Sequence, residues 1–259
     1  MILDMNVLLG RWPFARLGYE GAEDILRLMD RAGIDRAVAT SLDSVFFYDA
    51  EVGNHDVGQA CRRHPDRLVS FAIINPNLAR WREHLKRCVQ DYGARGIKLH
   101  PDYHKFDLLP GRGHRAEGEE VMAEARRLGL PVYIQTSLFD MRHHPGYCFV
   151  WEVPVAQVAR ALERYGDNTF IIGGARWFNS VVEELSRLTT GSRVAPYYVA
   201  TDGLGGPYDG IGELVGRIGA SRFLFSSRTP LLYSEASRDM ITQSRLSDED
   251  KAGILGLNA

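Results

Sequence analysis

Two periods alternate along the chain. Strand-sized apolar runs fall at residues 2–9, 37–41, 68–74, 96–100, 131–137, 169–173, 196–201 and 222–226. Several are apolar almost throughout, the pattern of a parallel strand buried on both faces. Between and after them lie helix-sized stretches at residues 21–32, 51–63, 79–92, 117–128, 153–165, 181–188, 212–218 and 235–246. There the apolar residues recur at the three- and four-residue spacing that lines one face of a helix. Gly93, Gly129, Gly166 and Gly219 follow helical stretches, where a left-handed residue is expected to end the last turn.

Strand and helix alternate eight times in 259 residues. That repeat predicts an α/β architecture, a (β/α)8 TIM barrel formed as a single domain over residues 1–259. A doubly wound open sheet is the alternative, but it rarely needs eight regular units. No Ser-, Pro- or Gly-rich linker divides the chain. The longest insertions, residues 101–115 and 138–152, follow the fourth and fifth strands. They are expected at the C-terminal end of the barrel, where barrel enzymes keep their chemistry.

Composition narrows the partners. With 45% apolar and 25% charged residues and a formal charge of −2, the chain has the balance of a globular protein. No basic stripe points to nucleic acid, and no apolar run is long enough to span a membrane. The opening residues lack a basic segment and a small-residue cleavage site, so a cytoplasmic location is expected. Cys61, Cys88 and Cys148 are odd in number and far apart, which fits neither a disulfide framework nor a paired zinc site.

The strand ends carry a resemblance. Ile2-Leu-Asp-Met-Asn-Val-Leu looks like an opening Ile-Asp-x-His-x-His strand, and Gly96-Ile-Lys-Leu-His-Pro like a fourth strand. Pro131-Val-Tyr-Ile-Gln-Thr is similar to Pro-Val-x-x-His-Thr, and Phe170-Ile-Ile-Gly-Gly-Ala to Ile-x-Gly-His-Ala. Arg222-Phe-Leu-Phe-Ser-Ser-Arg-Thr-Pro resembles Arg-x-Leu-Phe-Gly-Ser-Asp-x-Pro. Together they resemble the amidohydrolase-related (amidohydrolase 2) family of the metal-dependent hydrolases, in order along the whole chain.

The resemblance implies a divalent metal held by a histidine pair, two later histidines and a carboxylate. In this chain those positions are Asn6 and Leu8, Gln135 and Gly174, and Arg228. Leu8 and Gly174 have no side-chain donor, and Arg228 brings a permanent positive charge. The expectation is a substituted metal site, with no metal and no cofactor.

The polar residues that remain cluster after the fourth and fifth strands. His100 is the candidate for proton transfer, since an unperturbed imidazole titrates near neutrality. Asp102, His104 and Asp140 are its candidate supports. Arg142 and Arg228 are candidate clamps for an anion, with Asn6, Gln135, Tyr103 and His144 as further substrate contacts. Each has a blander reading: a satisfied core histidine at the strand tip, loop packing for Tyr103 and His104, and solvation for one of His143 and His144. Asp4 and Lys98 read as strand-end ion partners, and the Gly203–Gly206 run as a turn. Arg11-Trp-Pro-Phe14 and Tyr147, Phe149 and Trp151 add aromatic surface, suited either to the wall of a small-molecule site or to a homodimer contact.

Three functions compete on these residues. The first is a metal-independent amidohydrolase-like enzyme, of hydrolase or lyase (decarboxylase) type, acting on a small anionic molecule through His100. The second is a catalytically inactive homologue that binds a ligand or a protein. The third is a metalloenzyme whose site has moved to His100, Asp102 and His104.

Overall fold

The computed structural model describes residues 1–47, 49–110, 117–138, 144–175, 178–188, 194–205, 207 and 209–259. Its strands are β1 (Leu3–Leu9), β2 (Arg36–Ser41), β3 (Leu68–Ile73), β4 (Gly96–Leu99), β5 (Val132–Gln135), β6 (Phe170–Gly173), β7 (Tyr197–Ala200) and β8 (Phe223–Leu224). They run parallel and pair in sequence order. The barrel closes between its first and last strands: Met5 N–H donates to the Phe225 carbonyl at 2.9 Å and Leu8 N–H to that of Thr229 at 2.8 Å.

The helices are α1 (Ala22–Ala32), α2 (Asp43–Phe46), α3 (Ala50–Arg63), α4 (Trp81–Gln90), α5 (Pro101–His104), α6 (Glu117–Arg127), α7 (Val155–Arg164), α8 (Phe178–Leu188), α9 (Gly210–Ile218), α10 (Ser234–Thr242) and α11 (Asp248–Ala252). The predicted (β/α)8 barrel is what the chain forms. The strands are apolar on both faces because both faces are covered. Outward residues such as Ile97, Ile134 and Ile172 meet Leu85, Val121 and Leu162 of the helices. Inward residues, among them Met5, Phe71, Tyr133 and Ile171, fill the barrel itself. Each fully buried aliphatic or aromatic side chain contributes about 1.5–3 kcal/mol.

Four details depart from the sequence pattern. β4 stops at Leu99, and residues 101–104 are a helical turn in place of an open loop. Pro101 starts the turn, where its fixed φ suits the first helical position. His104 N–H closes the turn on the His100 carbonyl at 2.9 Å, which stacks the two histidines on one side. The short α2 and α11 carry too few turns for a periodic signal. Gly93, Gly129 and Gly219 do adopt positive φ, but Gly166 does not; α7 ends on Tyr165, bonded to the Ala161 carbonyl.

Among the described residues no helix is long and apolar enough to cross a membrane. All three cysteines are free. Burial pushes the Cys61 and Cys88 thiols up to about 12, which makes them packing residues.

Candidate active site

The C-terminal ends of β1, β4, β5, β7 and β8 bring one buried polar network together. At its centre is Asp202, in the tight turn after β7. One carboxylate oxygen accepts from Gly174 N–H at 2.8 Å. The other accepts from Asn6 Nδ2 at 2.9 Å and from Arg228 Nε at 3.0 Å. Asn6 Nδ2 also reaches Gln135 Oε1 at 3.3 Å, and Asn6 Oδ1 accepts from Lys98 Nζ at 2.6 Å. Gln135 Nε2 donates to the Ser137 carbonyl at 2.9 Å. Asn6, Gln135 and Arg228 thus meet in one network.

Arg228 is held in a strained backbone, with φ of +60°. A non-glycine residue there costs on the order of 1 kcal/mol or more and persists only where its surroundings impose it. Here the strain turns the guanidinium across the mouth onto Asp202. Only Nε is engaged among the described residues, and the side chain keeps 14% of its exposure.

Asp4 and Lys98 do not form the ion pair expected of them. Asp4 Oδ1 accepts from the backbone N–H of Asn6 at 2.9 Å and of Ser227 at 3.0 Å. Burial nevertheless pushes its carboxyl up to about 7. Lys98 lies over the Tyr133 ring, 4.8 Å from its centre, and burial lowers its amine to about 7. At about 7 each of these two buried, unpaired groups is near half-ionised at neutral pH, with desolvation opposing both charges.

His100 stands at the tip of β4, wholly buried. Neither ring nitrogen has a hydrogen-bond partner among the described residues. Burial, and then the charges of Lys98, His104 and Arg228, hold its pKa well below the usual histidine value. The ring is therefore neutral, able to take a proton at one nitrogen and offer one at the other. Asp102 does not orient it. Its Oδ2 accepts from Leu138 N–H at 3.1 Å, tying the turn after β4 to the segment after β5. Burial raises Asp102 to about 7. His104 turns Nε2 to the Val45 carbonyl at 3.3 Å, and burial lowers it to about 4. Asp140, Arg142 and His143 lie outside the described residues.

An aromatic clasp covers this row. Tyr103 O–H bonds His144 Nε2, and the His144 ring lies on Phe14, with centres 3.9 Å apart. Trp12 meets Phe14 edge-on at 5.2 Å and Phe46 at 5.4 Å. Leu8 packs in the same apolar cluster. Tyr103 and His144 are therefore part of a cover that spans the segments after β1, β2, β4 and β5. Tyr147, Phe149 and Trp151 stand out from it: they are 93%, 52% and 75% exposed.

The divalent ion that the family resemblance implies does not fit these residues. Asn6, Gln135 and both oxygens of Asp202 are already engaged, and the Arg228 guanidinium, a permanent cation, lies against the same carboxylate. A Cβ at Gly174 would collide with Gln135 Nε2 and the Ser137 carbonyl, and φ there is +73°. A ligand side chain at 174 and the glutamine at 135 exclude one another. Among the described residues no group of three or more His, Cys, Asp or Glu side chains forms a metal cluster, at His100, Asp102 and His104 or elsewhere.

Asp202 was the one central residue the sequence did not single out. It sits directly before a glycine run that reads as a turn, and no periodic or spacing signal marks it. The signal was its position, at the C-terminal end of a barrel strand.

Fold and site together define a (β/α)8 barrel whose mouth carries an amide–carboxylate–guanidinium network. The chain belongs to the amidohydrolase family: the family model described as Amidohydrolase matches residues 11–259. No curated protein matches the chain. Among solved structures it is similar to a provisionally assigned amidohydrolase from Staphylococcus aureus, with a TM-score of 0.76 at 15% identity, covering 100% of this chain and 97% of that one. It is similar also to the 2,6-dihydroxybenzoate decarboxylase from Rhizobium, with a TM-score of 0.67 at 17% identity over 100% and 97% of the chains. A third is the 5-carboxyvanillate decarboxylase from Novosphingobium aromaticivorans, complexed with manganese and 4-hydroxy-3-methoxy-5-nitrobenzoic acid. It matches with a TM-score of 0.73 at 13% identity over 100% and 94% of the chains. At such identities the likeness establishes the fold.

Proposed function

We propose that the protein is a metal-independent enzyme of lyase or hydrolase type that acts on a small carboxylate at the mouth of its barrel. One observation carries the reading. A neutral, fully buried His100 has neither nitrogen partnered among the described residues, and it is close enough to the Arg228 charge to be perturbed by it. Buried polar atoms are nearly always hydrogen-bonded, so an imidazole left free on both sides is one kept for a substrate. Arg228 has two unengaged nitrogens to receive a carboxylate. Asp202 fixes the guanidinium, and Asn6 and Gln135 form the polar floor.

In this reading the carboxylate docks on Arg228 and its organic part lies under Trp12, Phe14 and Tyr103. His100 moves the proton that the bond-breaking step requires, while the clasp keeps water out. The decarboxylases of similar fold take anionic aromatic compounds, which supports the same substrate class here. The chemistry would run without the manganese of the carboxyvanillate enzyme, since the donor set for it is not formed.

The test is a pair of readouts on His100→Asn. Benzoate-type carboxylates should raise the melting temperature of both wild type and variant, while turnover falls by about 10²–10⁴-fold in the variant. Unchanged turnover contradicts the role of His100. Binding without turnover in the wild type favours the second reading, a ligand-binding homologue, which the complete burial of His100 supports. A single domain, a cytoplasmic location and a homodimer through the exposed Tyr147, Phe149 and Trp151 complete the proposal. Fractionation and sedimentation test the last two.

A further inference from the structure

We propose that Lys98 is a nucleophilic amine in the floor of the mouth, built to form a Schiff base with the carbonyl of a small β-oxo acid. The inference rests on the reading above, in which Arg228 receives a carboxylate. The chain has 27 arginines and only four lysines, Lys86, Lys98, Lys105 and Lys251. Among these Lys98 alone is placed inside the barrel, 1% exposed. Arginine is always charged, whereas lysine can give up its proton when buried. In a sequence that otherwise prefers arginine, a lysine at this depth is the residue that can present a lone pair.

Its surroundings agree. Nζ makes one hydrogen bond, to Asn6 Oδ1, and no carboxylate of the described residues stands within ion-pair distance. A buried ammonium needs such a partner, and without one the neutral amine is favoured. Burial accordingly lowers Lys98 to about 7. A desolvated lysine amine of this kind is an activated nucleophile toward carbonyls. Lys98 and His100 are two residues apart on β4, so both side chains face the barrel interior. Through Asn6 and Asp202 the amine is linked to Arg228 by three hydrogen bonds of 2.6, 2.9 and 3.0 Å.

The chemistry balances with groups at hand. The Nζ lone pair attacks the carbonyl carbon, and the π pair moves to oxygen. That oxygen leaves as water with the two amine hydrogens, relayed through His100, and a C=N bond remains. The imine nitrogen takes up a proton from solvent through His100, giving an iminium. The carbon–carbon bond to the carboxylate then breaks, its pair forming the C=C bond of an enamine as the iminium π pair moves to nitrogen, and carbon dioxide leaves. Protonation of the enamine carbon and addition of water return product and free amine. The imine supplies an electron sink from the chain's own residues.

The experiment incubates the purified protein with acetoacetate and sodium cyanoborohydride, with formaldehyde in place of acetoacetate as a smaller carbonyl probe. Intact mass and peptide mapping read the adducts. The expected result is one reduced acetoacetate adduct per chain, on Lys98, lost in Lys98→Met and diminished in Arg228→Gln. Circular dichroism confirms that the variants are folded, and Lys98→Arg serves as a second, charge-retaining variant that should also lose the adduct. Labelling of Lys98 by formaldehyde but not by acetoacetate keeps the nucleophile and overturns the carboxylate clamp it rests on. Absence of any Lys98 adduct with either probe, in a protein whose melting temperature still rises with carboxylates, overturns the amine and leaves the proposed function standing.

Discussion

Asp202 accepts three hydrogen bonds, from Gly174, Asn6 and Arg228, with its side chain wholly buried. Asp202→Asn keeps the shape but replaces an acceptor with a donor facing donors. It should cost roughly 2 kcal/mol or more of stability, read from urea midpoints, because it leaves buried polar groups unpaired. Lys98 has the opposite character, since its burial penalises the protonated form. Its amine falls from the ordinary 10.5 to about 7, so between those values the unfolded chain binds a proton that the folded chain does not. Stability therefore gains from this residue as pH rises, from about pH 7 to about pH 9, where the buried thiols begin to act against it. The wild type should gain stability over that window relative to Lys98→Met. An equal pH dependence in the two proteins would show that Lys98 is charged when folded. Below pH 7 the buried groups oppose one another: Asp4 and Asp102, raised to about 7, lose stability with rising pH, while His100 and His104, both depressed, gain it.

The elements tell how two substitutions became one. Gln135 ends β5 opposite Gly173, the last residue of β6, and Gly174 follows directly. The glutamine amide fills the space into which a side chain at 174 would grow. Gly174→Ala should destabilise by about 1–3 kcal/mol, and Gln135→Ala should rescue part of the loss, since contacting residues do not add. Full additivity in that double-mutant cycle would contradict the coupling. The strands and long helices were legible in the sequence because burial imposes a period on every residue of an element. The turn α5 was not legible: four residues are too few for a period, and Pro101 alone could mark either a turn or a helix start. For the same reason the relation between His100 and His104 emerged only in three dimensions. The row of side chains at the strand ends could be read by position, but not the partners each would choose. Asp102 was expected to serve His100 and instead holds Leu138, and Asp4 and Lys98 bond to their neighbours in place of each other.

At the scale of the whole molecule, the barrel keeps the architecture of its family, and Arg228 brings a permanent cation to its mouth. Lys98 and Arg228 come from β4 and the end of β8, across the mouth from one another, and Asn6 and Asp202 join them into one connected network. In the proposed function such a mouth takes an anion without a metal, whereas a metal site would need those same donors released. The measurement that bears on this most directly is calorimetric titration of a small aromatic carboxylate, such as 2,6-dihydroxybenzoate, into protein stripped of metal by chelation, before and after manganese or zinc is restored. The account predicts saturable binding to the stripped protein, unchanged when metal is returned. Binding that appears only with the metal restored would contradict it.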